Sequence, residues 1–211
     1  MPHTLRSAPV APLVLAAGLG TRFGAAKLVA DVRGRPLVWH TLQPLVELTR
    51  LGVLGRGIAV VREGDGPVQS LVEEAGLEAV INPDPELGLS NSLRLGLDAL
   101  ARLDRSPRPS AALIVMGDQP LMRAEVIERL ITTWRQVDPP IVRPRYAGDP
   151  GRPGHPVLLA REAWPLAQRL SGDAGFGQLL KTMPDLVSYL EVPGANPDVD
   201  TPGDLKTLDQ P

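Results

Sequence analysis

Leu13-Val14-Leu15-Ala16-Ala17-Gly18-Leu19-Gly20-Thr21-Arg22-Phe23-Gly24-Ala25-Ala26-Lys27 is the stretch that decides how this chain is read. An apolar run through Ala16 has the make-up of a buried strand. It stops at a glycine loop that carries one arginine and closes on a lysine. Glycine lets backbone N–H groups come close to phosphate oxygens, where a side chain would block the approach. Arg22 and Lys27 add the positive charge that a triphosphate attracts. The lysine is informative because the chain holds only three, at 27, 181 and 206, against nineteen arginines.

Two other glycine loops fail on chemistry. The dinucleotide fingerprint G-x-G-x-x-G requires glycine at position 23, where Phe23 stands. It also wants an acidic residue at the end of the second strand, which here runs into Arg62 before Glu63. A P-loop requires Gly-Lys-Ser/Thr, whereas Lys27 lies between Ala26 and Leu28. A bare strand-to-helix turn would need neither Arg22 nor Lys27.

Outside this loop the sequence mostly excludes. At 211 residues it suits one α/β domain with a substantial core, read as residues 10–210 after a flexible start at 1–9. A formal net charge of −2 gives no basis for a nucleic-acid or anionic-membrane partner. The absence of cysteine excludes disulfides, zinc–thiolate sites, iron–sulfur clusters and thiol catalysis. No apolar run reaches transmembrane length, and Met1-Pro2-His3-Thr4-Leu5-Arg6 lacks the apolar core of a signal peptide, so a cytoplasmic protein is expected.

Apolar runs alternate with helical patterns. Strands are expected at Leu13–Ala16, Gly57–Val61, Leu77–Ile81 and Ala111–Met116. Helices are expected from Pro36 to about Thr49 with a kink at Pro44, over Pro67–Ala75, over Gly88–Leu103 with Ser90 or Asn91 as cap, and from Arg123 to about Val137. This β-α alternation implies a mostly parallel sheet covered by helices on both faces. Past Asp138 prolines and glycines crowd the chain to Pro156. A short strand at His155–Leu159, two short helices and a strand near Val187–Val192 complete a substrate-facing extension of the same domain. Ligands of open α/β sheets bind at the carboxyl ends of the strands. The glycine loop and the segments after Ile81 and Met116 all lie at such ends.

Two of those segments carry carboxylates. In Met116-Gly117-Asp118-Gln119-Pro120 an aspartate ends the buried strand. Alone it could cap a turn; beside a triphosphate loop it suits a magnesium ligand, since nucleotide-bound Mg²⁺ takes one or two carboxylates. Near the C-terminus, Asp198 and Asp200 would project to the same side of an extended segment, followed by a short helix with Thr201 as cap and Pro202 at its first position.

These pieces, in this order over most of the chain, resemble the MobA-like nucleotidyltransferases, and most closely the molybdenum cofactor cytidylyltransferases. The resemblance rests on Leu15-Ala16-Ala17-Gly18 with Arg22, Gly24 and Lys27, on Arg33-Gly34-Arg35-Pro36-Leu37, and on Asn82-Pro83 with Gly88, Ser92 and Leu93. It continues through Gly117-Asp118-Gln119-Pro120, Gly154-His155-Pro156-Val157-Leu158 and Asp198-Val199-Asp200-Thr201-Pro202. It implies a single three-layer, Rossmann-like nucleotidyltransferase domain of the nucleotide-diphospho-sugar transferase type, with a mostly parallel mixed sheet. It further implies an enzyme that moves CMP from CTP to the terminal phosphate of molybdopterin with Mg²⁺, releasing pyrophosphate. A molybdoenzyme or its chaperone would be the client.

On this resemblance Lys27, Arg22 and Asp118 are catalytic. Leu15, Ala16, Ala17, Gly18, Gly20, Arg22, Lys27, Asn82, Ser92 and Asp118 bind nucleotide, while Asp118 and Asp200 hold the metal. Ala16-Ala17-Gly18 and Gln119 match the cytidylyl version of their motifs. His155 and Asp173 are acceptor-site candidates; His155 is equally suited to a structural place at a strand edge, and Asp173 or Ser92 to a helix N-terminus. Two positions depart from the pattern. Phe23 replaces the usual methionine, and Phe176-Gly177 stands where Gly-Asp-x-Gly-Ala-Arg would close. Alternatives are a guanylyltransferase, transfer to another phosphorylated acceptor such as a sugar phosphate, and a non-catalytic cofactor-delivery module. The last has no need of Lys27, Asp118 and Asp200.

Overall fold

Seven strands form one sheet in the order β5-β4-β1-β6-β8-β7-β9. They are β1 (Val10–Ala16), β4 (Ile58–Arg62), β5 (Glu78–Asn82), β6 (Ala111–Met116), β7 (Ile141–Tyr146), β8 (Val157–Ala160) and β9 (Val187–Val192). β2 (Asp31–Val32) and β3 (Arg35–Pro36) make a separate two-residue hairpin. The computed structural model describes residues 8–23, 26–103, 107–149, 151, 154–173 and 175–208. Most of the start expected to be flexible (1–7), Gly24 of the loop and the last residues of the expected domain (209–210) lie outside the described residues.

The sheet is parallel except for β8, which pairs antiparallel with both β6 and β7. β1 is fully buried along its seven residues, as a strand covered on both faces should be. One face carries α1 (Leu37–Arg50), α2 (Gly66–Glu74) and α4 (Ala124–Val137), whose Leu42, Leu45, Val72, Leu130 and Trp134 share a core with Val14 and Val115. The opposite face carries α3 (Leu89–Arg102) and the 3₁₀ segment Arg161–Arg169, with Leu93, Leu97 and Trp164 packed on Leu13 and Ile114. α5 (Phe176–Lys181) follows, and α6 (Pro202–Leu208) ends the fold. Alternation of strand faces divides β1 between the two cores, Val14 on one side and Leu13 and Leu15 on the other.

Two sequence expectations need correction. The Pro- and Gly-rich stretch after Asp138 contains a full strand, β7, which pairs with both β8 and β9 and tolerates Pro144 in its middle. Its register with β8 covers only Ile141 and Val142, so beyond them the edge facing β8 has no ladder bond that Pro144 could break. The helix expected from Pro36 to about Thr49 is α1, which runs through Pro44. The N-cap of α3 is Gly88, with no side-chain cap bond. The Ser90 N–H instead donates to the carbonyl of Gly172 at 3.0 Å. A Cβ at Gly88 would lie 2.5 Å from the Gly172 carbonyl carbon, so the closeness of this loop to the helix depends on glycine.

A third, small cluster ties the glycine loop to the C-terminus. Val32, Leu37 and Val199 are buried together, and Phe23, Leu28, Leu205 and Leu208 pack against them. Phe23 is thus a packing residue. Burial of Val199, worth about 1.5–3 kcal/mol, turns its neighbours Asp198 and Asp200 toward the cleft, which both line. α6 begins on a reciprocal cap: the Asp204 carboxylate accepts from the Thr201 and Asp200 N–H groups at 2.7 and 2.9 Å, and the Thr201 hydroxyl accepts from the Asp204 N–H at 3.4 Å.

Two outcomes follow for stability. A Cβ at Gly96 would stand 2.4 Å from Leu13 Cδ1 and 3.0 Å from Val60 Cγ2, both fully buried. Gly96→Ala should therefore lower unfolding stability by about 1–3 kcal/mol in urea denaturation. Burial pushes the Tyr146 hydroxyl up to about 12, against opposing effects of Arg123 and Asn196. The folded state then holds that proton more tightly than the unfolded chain. Its stabilising contribution is complete below pH 10 and drains away toward pH 12, so Tyr146→Phe should flatten the alkaline limb of a Tm-against-pH profile.

Candidate active site

At the carboxyl edge of β1 the chain turns through Gly20 into a short 3₁₀ segment, Lys27–Val29. Lys27 Nζ lies 2.6 Å from Asp118 Oδ2, at the end of β6, and 3.4 Å from Asp200 Oδ1, on the segment that returns after β9. Arg22 Nη1 approaches the other Asp200 oxygen at 3.4 Å. The two ends of this chain differ in environment. Lys27 and Asp118 side chains are 13% and 16% exposed, whereas Arg22 is 80% exposed. The inner pair is therefore electrostatically strong and the outer one adds little to folding. The backbone locks the same geometry, because the Val199 N–H donates to the Asp118 carbonyl at 3.0 Å. Thr41 of α1 donates to the Gly117 carbonyl at 3.2 Å.

Burial pushes the Asp118 carboxyl above its ordinary value; the Lys27 ammonium opposes that shift and the Asp198 charge reinforces it. Asp118 Oδ1 is buried and has no hydrogen-bond partner. A buried carboxylate oxygen left over beside a second carboxylate is the donor set a divalent cation requires. Asp118 and Asp200 could supply two oxygens. Among the described residues no group of three potential ligand side chains occurs, so phosphate oxygens and water would fill the other positions.

Gln119 is held by its neighbours in one orientation. Its Nε2 donates to Asp198 Oδ1 at 2.5 Å, and its Oε1 accepts from Asn196 Nδ2 at 3.2 Å. Asn196 Nδ2 also donates to the His155 carbonyl at 3.3 Å. Because a carboxylate only accepts, the whole chain of amides has a fixed sense. Asp198 is thereby engaged with Gln119, while Asp200 faces Lys27 and Arg22.

A cleft of about 920 Å³ opens beside this group, floored by Leu15, Leu93 and Met116. His155 and Asp173 both line it, as do Gln119 and Asp200. Of His155, the carbonyl is held by the Tyr146 hydroxyl at 2.9 Å. Asn82 and Ser92 are also brought together, Asn82 Nδ2 donating to Ser92 Oγ at 3.0 Å. Both are buried, and Asn82 Oδ1 accepts from the Asp84 N–H and Asn91 Nδ2 at 3.0 Å each. They brace the loop that leads into α3. Ala16 and Ala17 are each 2% exposed, whereas the space where a Cβ at Gly18 would project is open.

Sequence reasoning passed over three cleft residues. Tyr146 and Asn196 act through hydrogen bonds that no local pattern predicts. Arg143 is 5% exposed within β7. A charge inside the apolar run Ile141-Val142-Arg143 was the available signal.

The nucleotidyl transferase Mth528 of Methanothermobacter, at 20% identity and TM-score 0.74 over 95% of this chain and 96% of that one, shares the fold. Rv0371c of Mycobacterium tuberculosis is nearer, with TM-score 0.80 and 28% identity over 95% of this chain and 97% of that one. The same protein in complex with manganese gives TM-score 0.75 at 26% identity, over the same shares of the two chains. A probable molybdenum cofactor guanylyltransferase of Pyrococcus horikoshii is 25% identical over 183 residues, 85% of this chain and 84% of that protein. The bifunctional protein GlmU of Rhizorhabdus wittichii is 33% identical over 135 residues, 63% of this chain but 28% of that protein. This chain thus spans little more than a quarter of the GlmU length. A mixed, mostly parallel sheet agrees with these likenesses, and the match over residues 12–187 identifies the chain as a member of the MobA-like NTP transferase domain family.

Proposed function

We propose that this protein transfers CMP from CTP to the terminal phosphate of molybdopterin and releases pyrophosphate. The observation that carries the reading is the position of Lys27 Nζ, within reach of both Asp118 and Asp200 at the carboxyl edge of the sheet. Ala16-Ala17-Gly18 and Gln119 support cytosine as the base, through the resemblance of those motifs to the cytidylyl group. The likeness to a probable molybdenum cofactor guanylyltransferase supports the acceptor and favours GTP as the second reading.

A phosphate acceptor is already anionic and needs no general base. One of its oxygens forms a bond to the α-phosphorus as the bond to the bridging oxygen of the β-phosphate breaks, and the electron pair leaves with pyrophosphate. The barrier lies in bringing two anions together, so positioning and electrostatics supply most of the catalysis. Lys27 would hold charge on the triphosphate as it shifts toward the leaving group, with exposed Arg22 closing over it. Backbone N–H groups near Gly18 and Gly20 would complete the cradle. Mg²⁺ held by Asp118 and Asp200 would neutralise phosphate charge; the manganese complex of the M. tuberculosis relative supports a divalent ion here. Asn82 and Ser92 would shape the nucleotide side through the loop they brace, with His155 and Asp173 on the acceptor side. No helix among the described residues is long and apolar enough to cross a membrane, which is compatible with a cytoplasmic place.

Pyrophosphate release from CTP and from GTP, with Mg²⁺ and with or without molybdopterin, tests the reading. Acceptor-dependent release from CTP is expected; release from GTP alone would replace the base assignment, and silence with both would remove the acceptor. Asp118→Asn should lower turnover at least about 100-fold, the scale of losing one transition-state contact. Because burial already disfavours the charged carboxyl, the same variant should melt no lower than the parent. A large drop in Tm would mean that the Lys27 pair is a structural tie.

A further inference from the structure

Lys27 and a divalent cation compete for the same oxygens. Its Nζ takes Asp118 Oδ2 at 2.6 Å and Asp200 Oδ1 at 3.4 Å, and Arg22 approaches Asp200 Oδ2 at 3.4 Å. Among the described residues Asp118 Oδ1 is the one oxygen of these four without a partner, and it is buried. A metal that draws on both aspartates must therefore take Asp200 from Lys27 or from Arg22. The two contacts are unequal. Exposed Arg22 can swing into solvent at little cost, whereas Lys27 is largely buried beside Asp118.

Charge sharpens the competition. Two carboxylates against one ammonium and one guanidinium leave this group without net charge. The third aspartate nearby, Asp198, is engaged by Gln119 at 2.5 Å. An ammonium that stayed in place would share carboxylates with the incoming ion, and like charges in a partly desolvated crevice repel strongly. The ammonium leaves at low cost when another anion receives it. Lys27 opens the 3₁₀ turn that follows the glycine loop, and the space beside Gly18 in that loop is open. A polyphosphate lying on the loop is such an anion. We infer that Lys27 makes the carboxylate pair selective for a divalent ion that arrives with a polyphosphate. A bare ion is held off; with the polyphosphate present, Lys27 passes to the phosphate oxygens as the metal takes the aspartates. Metal and triphosphate then bind as a unit, each raising the affinity for the other. This rests on the proposed reading that Asp118 and Asp200 hold the metal, and it adds that the metal does not bind first.

Mn²⁺ binding, read as loss of the free-ion EPR signal, tests this without turnover. In the absence of nucleotide, Lys27→Met should bind Mn²⁺ at least about tenfold more tightly than the parent. Lys27→Gln serves if Lys27→Met does not fold. Lys27→Arg keeps the charge and should bind the ion as poorly as the parent. Saturating CTP should raise the Mn²⁺ affinity of the parent at least about tenfold more than that of the neutral variant. CTP chelates Mn²⁺ equally in both samples, so the difference belongs to Lys27. Asp118→Asn in the Lys27→Met background should abolish the nucleotide-free binding. Equal nucleotide-free affinity in the parent and the neutral variant would overturn the inference, and would leave the metal reading standing where Asp118→Asn abolishes that binding. A parent that binds Mn²⁺ equally with and without CTP would overturn it whether or not the variants fold. Mn²⁺ binding that survives Asp118→Asn, or none in any protein even with CTP, would overturn the inference and the metal reading together.

Discussion

Lys27 Nζ is the point at which three segments distant in sequence meet. Its two carboxylate partners lie 91 and 173 positions away. Without that ammonium, Asp118 and Asp200 would face one another as like charges in a partly desolvated crevice. The backbone arrangement prepares this contact. β1 and β6 are adjacent parallel strands whose registers end together at Leu15 and Met116, so the glycine loop and the aspartate segment leave the sheet side by side. The return after β9 is then pinned from below by Val199 and from above by the ion pairs. A cation that claimed the carboxylates would free Lys27 for another anion, which is the exchange a triphosphate and its metal would make on the proposed reading.

Much of this was legible in the sequence because it depended on short-range rules. Strand β6 was read to the residue, since six consecutive apolar residues between turn signals leave little choice. Lys27 stood out by its rarity among basic residues, and Asp118 by its place at a strand end. The alternating burial of Asp198, Val199 and Asp200 follows from the period of an extended chain. Their distinct partners did not, because Gln119 and Lys27 are chosen by tertiary placement.

What escaped was set by long-range pairing. β7 was concealed by its own composition: Pro144 and the following glycines signal a loop, and pairing with β8 and β9 makes a strand of Ile141–Tyr146. With the strand hidden, nothing in the sequence set Arg143 apart from the other arginines of the chain. Phe176 and Gly177 were visible as a departure from the expected motif, but not that position 177 faces a guanidinium delivered from another strand. The cap of α3 likewise came from the Gly172 carbonyl, more than eighty positions away, instead of from the serines and asparagine beside it.

The single reversed strand has a consequence for how such a protein can diversify. Every other strand of the main sheet offers its last residue to the ligand edge; β8 offers what precedes its first. Its entry at His155 therefore belongs to the same rim as the ends of β6 and β7, and the described part of the segment between them is tied to the return after β9, the Ala147 and Gly148 N–H groups donating to the Val192 and Gly194 carbonyls at 2.8 and 2.9 Å. That segment lies outside the ladder β5-β4-β1-β6. On the proposed reading, one half of the sheet keeps the nucleotide chemistry while the other is open to rewriting for a new recipient.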